Sequence, residues 1–353
     1  MRYYYLDFAR SAFLLLGVVY HAALIFSGGT WIINDSESSQ VFFYFTRLVK
    51  EFRMEGFFII SGFFSMMVIE KMPLGKFLHS RMLRLGVPML FFGFTFNTLL
   101  IYFFDDDLLL LRNWQLFDYV FYGYWLRHLW FLGDLLVMVF VAVAVLKFIP
   151  RLPHFIANAK IPYWSFLLFV GLATFVSRRI GWQIPDPPEG AAWFFVVKHH
   201  FFYYLPFFVS GFIFFLNPKL LSDFIKNKFL NLIIASLHVF LLFSNWGSSF
   251  QTYINELLPI GSMCMVGLNL YVFKLFFDKK NDTIFAVSEA SYSIYLLHQP
   301  LLVWVAYYVI DFDLSIWSKF LIILLSVYFF SYYVHRLVIR KVPLFYFLFN
   351  GKR

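Results

Sequence analysis

Residues Leu6 to Phe26 read LDFARSAFLLLGVVYHAALIF, an apolar run of about the length that crosses a hydrocarbon core as a helix. Two ionisable side chains interrupt it. Arg10 and His21 stand eleven positions apart. At roughly 100° per residue that offset is three turns plus roughly 20°, so both lie on one helix face, separated by a rise of roughly 16 Å. Asp7 precedes Arg10 at i, i+3 and is placed to pair with it. An ionisable side chain in a spanning segment is expensive; it normally faces the protein interior and marks a functional site. The spacing also fits a plainer arrangement, with Arg10 and Asp7 as a snorkelling interfacial pair and His21 as a hydrogen-bonded packing residue. Spacing alone does not choose between them.

The rest of the chain has the same character. Of its 353 residues 61% are hydrophobic, 24% aromatic and 14% charged, whereas soluble domains run at about 45–50% apolar and about 25% charged. Apolar runs of about 20 residues recur throughout. The expected fold is all-α: a polytopic integral membrane protein, one transmembrane domain over residues 1–353 without internal repeat or soluble linker. The 52 phenylalanines are lipid-facing and packing material. A net charge of +9 is distributed as positive-inside topology distributes it. Nucleic acid is excluded as a partner because no soluble module carries a basic patch. The single Cys264 lies in an apolar run and allows no intramolecular disulfide. With no separate basic stretch before it, the first helix reads as an uncleaved span.

Ten spans are expected, with both termini cytoplasmic. The first is followed by the polar loop SGGTWIINDSESSQ and the amphipathic, interfacial VFFYFTRLVKEFR. The second runs from Phe52 to Ile69, with Ser61 and Gly62 small enough for a helix or a substrate to approach closely. A basic loop with Lys71, Lys76, Arg81 and Arg84 leads through Pro88 into the third, Val87 to Phe104, which stops at Asp105, Asp106 and Asp107. An aromatic loop with Trp114, Tyr119, Tyr122, Tyr124 and Trp125 is placed at or above the interface. The fourth span opens at His128 and exits at Lys147. The fifth covers Trp164 to Val176, with Arg178 and Arg179 at its far end. After the proline-rich QIPDPPEG comes the sixth, Trp193 to Leu216, carrying Lys198, His199 and His200 near its entry. The seventh is Phe229 to Phe243 and the eighth Leu257 to Phe277. The ninth starts with Ser288 as N-cap, and the tenth covers Trp317 to Val334. The basic connections fall on one side, with Arg47, Lys50, Arg53, Arg178 and Arg179 as the exceptions.

No Walker loop, zincin HExxH or GxSxG elbow is present. His199 and His200 are adjacent, so on a helix they point about 100° apart and make a poor metal pair; no metal is expected. Five stretches together resemble membrane-bound acyltransferase family 3. They are Arg10 with His21, GFFIISGFF (Gly56–Phe64), SRMLRLGVP (Ser80–Pro88), HLWFL (His128–Leu132) and SYSIYLLHQP (Ser291–Pro300). They occur in the expected order and, with their flanks, cover nearly the whole chain.

The resemblance implies an enzyme of the bacterial inner membrane that moves acyl groups onto extracytoplasmic sugars or lipids. Within the family the likeness is to the branch assigned to succinylation of osmoregulated periplasmic glucans. That branch implies succinyl-CoA, or another acyl-CoA, as donor on the cytoplasmic side, a periplasmic glucan as acceptor, and no permanently bound cofactor. It implies catalytic roles for His21 and for Arg10, about three turns lower on the same helix face. A neutral imidazole can take the proton of an attacking sugar hydroxyl, or accept the acyl group and pass it on. Arg81 and Arg84 stand at i, i+3 at the cytoplasmic mouth, suited to the phosphates of CoA; loop arginines equally serve to fix topology. The pantetheine arm would then run up the first helix toward His21. Ser61, His128, Trp130, Tyr292, Tyr295 and His298 complete the expected substrate set, the last three at i, i+3 and i+6 on one broad face. An O-acetyltransferase of surface polysaccharide or lipid-linked sugar, and a transporter using His21 as a proton relay, are the competing readings.

Overall fold

The computed structural model describes residues 3–104, 116–187, 192, 193, 195–244 and 248–352. Asp105 to Asp107, Trp114 and the end of the proline-rich loop lie outside the described residues. Among the described residues the chain is helical, with one isolated bridge between Trp193 and Val196. The helices are α1 (Tyr4–Leu24), α2 (Gln40–Lys50), α3 (Arg53–Ile69), α4 (Leu74–Phe104), α5 (Leu116–Phe121), α6 (Trp130–Phe148), α7 (Leu152–Asn158), α8 (Tyr163–Trp182), α9 (Lys198–Leu216), α10 (Pro218–Lys226), α11 (Lys228–Phe243), α12 (Ser248–Phe277), α13 (Asp282–Val309), α14 (Ile316–Val334) and α15 (Pro343–Asn350).

Each of the ten expected stretches contains a helix, though the sixth starts at Lys198 and not at Trp193, which lies in the bridge; among the described residues seven helices are long and apolar enough to cross a membrane. An eighth counts if α10 and α11, bent by 65°, form one broken span. Helix α8 runs on past Val176 because its arginines find partners. Arg178 pairs with Glu256 at 3.0 Å, and Arg179 lies 4.2 Å over the ring of Trp182. The ninth stretch is lengthened too. Its cap is Asn281, not Ser288, with the Asn281 side chain accepting from the backbone N–H of Thr283 and Ile284.

One further expectation needs correcting. The basic connection before Pro88 is no loop: it is the first half of α4, where π-helical stretches at Met82–Gly86 and Gly93–Asn97 interrupt the α-helix. Such wide turns accommodate the missing N–H and the ring of Pro88 without ending the helix. The aromatic segment before α6 is packed into the protein. Trp125 is fully buried and stacks on Phe94, donating its indole N–H to the Val120 carbonyl at 3.1 Å. Gly93 makes the room, since a Cβ there would stand 2.2 Å from the Trp125 ring. Tyr119 is buried as well, 2.7 Å from the Thr98 hydroxyl.

Helix α1 is central and packs against α3, α12 and α13. Helix α3 presses on α9 through glycines. A Cβ on Gly62 would stand 2.0 Å from the Phe208 carbonyl oxygen, and one on Gly211 2.0 Å from that of Ile59. This is the close approach that small residues permit between membrane helices. Ser61, the neighbour of Gly62, is turned a hundred degrees away and is free to face a cavity. The α2 segment is amphipathic as expected, burying Phe42, Thr46 and Val49 on one face.

Candidate active site

Two cavities approach the middle of the bundle from opposite ends. The larger, of about 680 Å³, is lined by Arg10, Ser61, Arg81, Arg84 and Tyr292 from the sequence-derived set. It adds Lys279, Lys280 and Lys352, so six cationic side chains face Asp7, Asp282 and Glu289. Its inner end is apolar, with Leu14 of α1, Phe57 of α3 and Leu135 of α6. The C-terminal tail closes one wall. Gly351 ends α15 in the left-handed conformation (φ 59°), where a Cβ would stand 2.0 Å from the Leu83 carbonyl oxygen. This glycine seats Lys352 beside the π-helical stretch that carries Arg84. Partial enclosure lowers the pKa of the Lys352 ammonium, and Arg84 and Arg10 lower it further, against the pull of Glu289.

The smaller cavity, about 410 Å³, is lined by Lys50, Glu51 and Glu55 together with Trp182, His199, His200, Tyr203 and Tyr204. Glu55 is buried and accepts from the Tyr203 hydroxyl at 3.1 Å. Trp130 belongs to this side and not to the cationic chamber. Its ring lies 4.1 Å from that of His200 and stacks on Tyr204 at 5.6 Å. The entry of α9 is pinned by Lys198, which bridges Asp186 and the Ile184 carbonyl, both at 2.6 Å. That ion pair holds the Asp186 carboxyl below its ordinary pKa.

Between the cavities lies a layer of histidines and one arginine. The ring of His21 is 5.2 Å from that of His298, which is 5.1 Å from that of His128. Tyr295, one turn before His298, packs at 4.6 Å from its ring and 6.0 Å from that of His128. His298 Nδ1 is hydrogen-bonded to the Tyr295 carbonyl, whereas its Nε2, both nitrogens of His128 and Nδ1 of His21 are buried without a hydrogen-bond partner. Trp31 covers His21 from the loop above. His128 follows Arg127, whose φ of 45° is a left-handed conformation rare outside glycine. The fourth member is Arg53 at the first position of α3, 7% exposed and 5.1 Å from the Tyr20 ring. Gly17 of α1 leaves space for it.

The sequence-derived residues therefore divide by chamber. Arg10 and His21 share a face of α1, yet Arg10 opens on the cationic cavity while His21 belongs to the layer. On α13, Tyr292 lines the cavity and donates to the Arg84 carbonyl at 3.4 Å, with Tyr295 and His298 in the layer. Arg53 and Glu55 escape the sequence reading because Arg53 counts there only as a topological exception. The signal was present: both are charges inside a spanning segment, the property that singles out Arg10 and His21. Among the described residues no group of three histidine, cysteine or acidic side chains is arranged to hold a metal.

Comparison with known proteins gives a consistent family. The one described as Acyltransferase domain matches residues 3–336. Glucans biosynthesis protein C of Escherichia coli is 30% identical over 382 aligned residues, 99% of this chain and 95% of that protein. The protein of the same name from Shigella dysenteriae is equally similar, at 30% over the same shares. No solved structure matches the chain.

Proposed function

The chain belongs to membrane-bound acyltransferase family 3, and on that footing we propose that it moves a succinyl group from succinyl-CoA onto hydroxyls of a periplasmic glucan. The observation that carries the reading is the histidine layer standing between a cationic chamber and an aromatic one that carries Glu51 and Glu55 with Lys50 and Arg178. The cationic chamber suits the phosphates of CoA, with Arg81 and Arg84 offering forked donors and Lys279, Lys280 and Lys352 adding charge. Its apolar inner end suits the pantetheine arm, which passes Arg10, Ser61 and Leu14 on the way to His21. The second chamber suits a sugar, whose faces pack on aromatic rings and whose hydroxyls donate to carboxylates. Ten spans with both termini cytoplasmic, in the bacterial inner membrane, would put the cationic chamber inside and the aromatic one outside.

In the transfer, the acceptor hydroxyl oxygen forms a bond to the thioester carbonyl carbon while His21 takes the hydroxyl proton. The C–S bond then breaks, and the proton passes from the imidazolium to the departing thiolate, giving the ester and free CoA thiol. His298, 5.2 Å from His21 ring to ring, is close enough to share that proton, and His128 lies 5.1 Å beyond it. An acetyl group on a different polysaccharide would use the same geometry.

Mass spectrometry of periplasmic glucans from cells with and without the protein tests the reading. Succinyl esters should vanish with the gene and return with the wild-type chain. They should not return with His21→Ala, even though that variant inserts and accumulates. Glucans whose substitution is the same in all three strains would exclude this acceptor. Reporter fusions after Lys76, Lys226 and the C-terminus should read cytoplasmic.

A further inference from the structure

Arg53 presents a charge problem that the transfer scheme leaves unused. It is 7% exposed, and its contacts are with neutral groups, the Tyr20 ring at 5.1 Å and the Tyr295 side chain, while Nε and Nη1 have no hydrogen-bond partner. Among the described residues no carboxylate forms a salt bridge with it. Its two nearest acidic neighbours in sequence are engaged elsewhere: Glu51 lies 3.2 Å from His238 Nε2, and Glu55 accepts from Tyr203 on the side of the smaller cavity. A guanidinium out of water is costly unless an anion and full hydrogen bonding compensate it. The chain nevertheless makes room for it: a Cβ on Gly17 would stand 2.4 Å from Nη1.

The position indicates which anion is missing. Gly17, which the guanidinium covers, is one turn before His21 on α1, so their Cβ directions are about 6 Å apart on one face. Phe57, one turn along α3 from Arg53, and Leu14, one turn before Gly17, line the inner end of the cationic cavity. Arg53 and His21 thus each stand one or two helical turns beyond residues that line that cavity. In a four-carbon diacid thioester the free carboxylate stands a few ångström from the reacting carbonyl, comparable with the roughly 6 Å between positions one turn apart on α1.

We propose that Arg53 binds the free carboxylate of a dicarboxylic acyl group while the thioester carbonyl stands at His21, and so selects the acyl donor. The proposal rests on the transfer reading above and narrows it to acyl groups with a terminal carboxylate. That carboxylate is unchanged through the step. The acyl carbon exchanges sulfur for the acceptor oxygen, and the hydroxyl proton ends on the CoA thiol. Acetyl and butyryl groups leave the guanidinium uncompensated.

The test compares succinyl-CoA with butyryl-CoA, equal in length but differing in the carboxylate, using the purified full-length protein and unsubstituted glucan. Wild-type kcat/KM should favour succinyl by about a hundredfold, the scale of a charge-assisted contact. Arg53→Gln should lower succinyl transfer by about that factor and leave butyryl transfer within a fewfold; Arg53→Lys should restore part of the preference. Equal wild-type rates for the two donors overturn the proposal alone, and they can be read even if no variant folds. An equal loss of both donors in Arg53→Gln also overturns it, since it would place Arg53 on the reacting oxygen or in the fold. A wild-type protein that moves neither group overturns the transfer reading itself.

Discussion

Gly17 on α1 and Arg53 on α3 occupy one another's space: a Cβ on the glycine would stand 2.4 Å from Nη1 of the arginine and 2.9 Å from the ring of Tyr295. Gly17→Ala therefore displaces the guanidinium from the histidine layer without altering a titratable group. Overpacking of this kind costs about 1–3 kcal/mol, which a helix with the contacts of α1 can bear. Transfer should fall by at least about tenfold, since a displacement near 1 Å has cost up to a hundredfold elsewhere. The protein should still accumulate in membranes. Full activity in Gly17→Ala would mean that the guanidinium has no fixed place to keep.

The loop above His21 is held by a buried ion pair. Lys319 at the start of α14 donates to Asp35 at 2.9 Å and to the Ile310 carbonyl at 2.6 Å, and the Asp35 side chain is fully enclosed. Removing one partner strands the other, at a cost of about 3–5 kcal/mol, whereas removing both charges is often close to neutral. Lys319→Met should lower the unfolding temperature of the detergent-solubilised protein markedly, and Asp35→Asn combined with Lys319→Met should recover most of it. If the double variant is no better than the single one, the pair is not what holds the loop.

These two examples show what the sequence could and could not reveal. The run from Leu6 to Phe26 was legible as a helix, with Arg10 and His21 on one face, because the period of a helix is a local property. Helical continuity through Pro88 was not, since a π-helical stretch leaves no mark in the hydrophobic pattern. Asp35 and Lys319 are 284 positions apart, and nothing at either position names the other. His21, His128 and His298 were each picked out by local motifs, but their meeting in one layer comes from the packing of α1, the start of α6 and α13. Arg53 shows a different failure. Its residue type and location carried the same signal as Arg10, but the topological tally absorbed it.

Lys352 gives the cationic cavity a pH dependence. Its ammonium titrates below the ordinary 10.5, through enclosure first and then Arg84 and Arg10, with Glu289 opposing. Its positive charge is therefore present at neutral pH and is lost as pH rises through the lowered value. A bound phosphate restores the charged form, so binding takes up a proton in that alkaline window. The affinity of the purified protein for CoA should decline there, and Lys352→Met should bind more weakly at neutral pH with a flatter decline. A wild-type profile that Lys352→Met leaves unchanged would remove this lysine from the donor site.

His298 carries the most discriminating substitution. The Tyr295 carbonyl beside its Nδ1 can only accept, so that nitrogen holds the proton and the buried, unpartnered Nε2 keeps a lone pair, within a ring packed against those of His21 and His128. His298→Asn can keep a donor near the Tyr295 carbonyl while removing Nε2 altogether. If the histidine layer passes the hydroxyl proton, this variant should fold with nearly unchanged thermal stability and lose transfer by about a hundredfold or more, the scale of one general base. The loss should appear in kcat rather than KM, because neither the cationic cavity nor Arg53 is touched. A packing role predicts the reverse: lower stability from the smaller side chain, with kcat preserved in the folded fraction. Measuring unfolding temperature and kcat on one preparation separates the two, and a preserved kcat would confine the chemistry to His21 and His128.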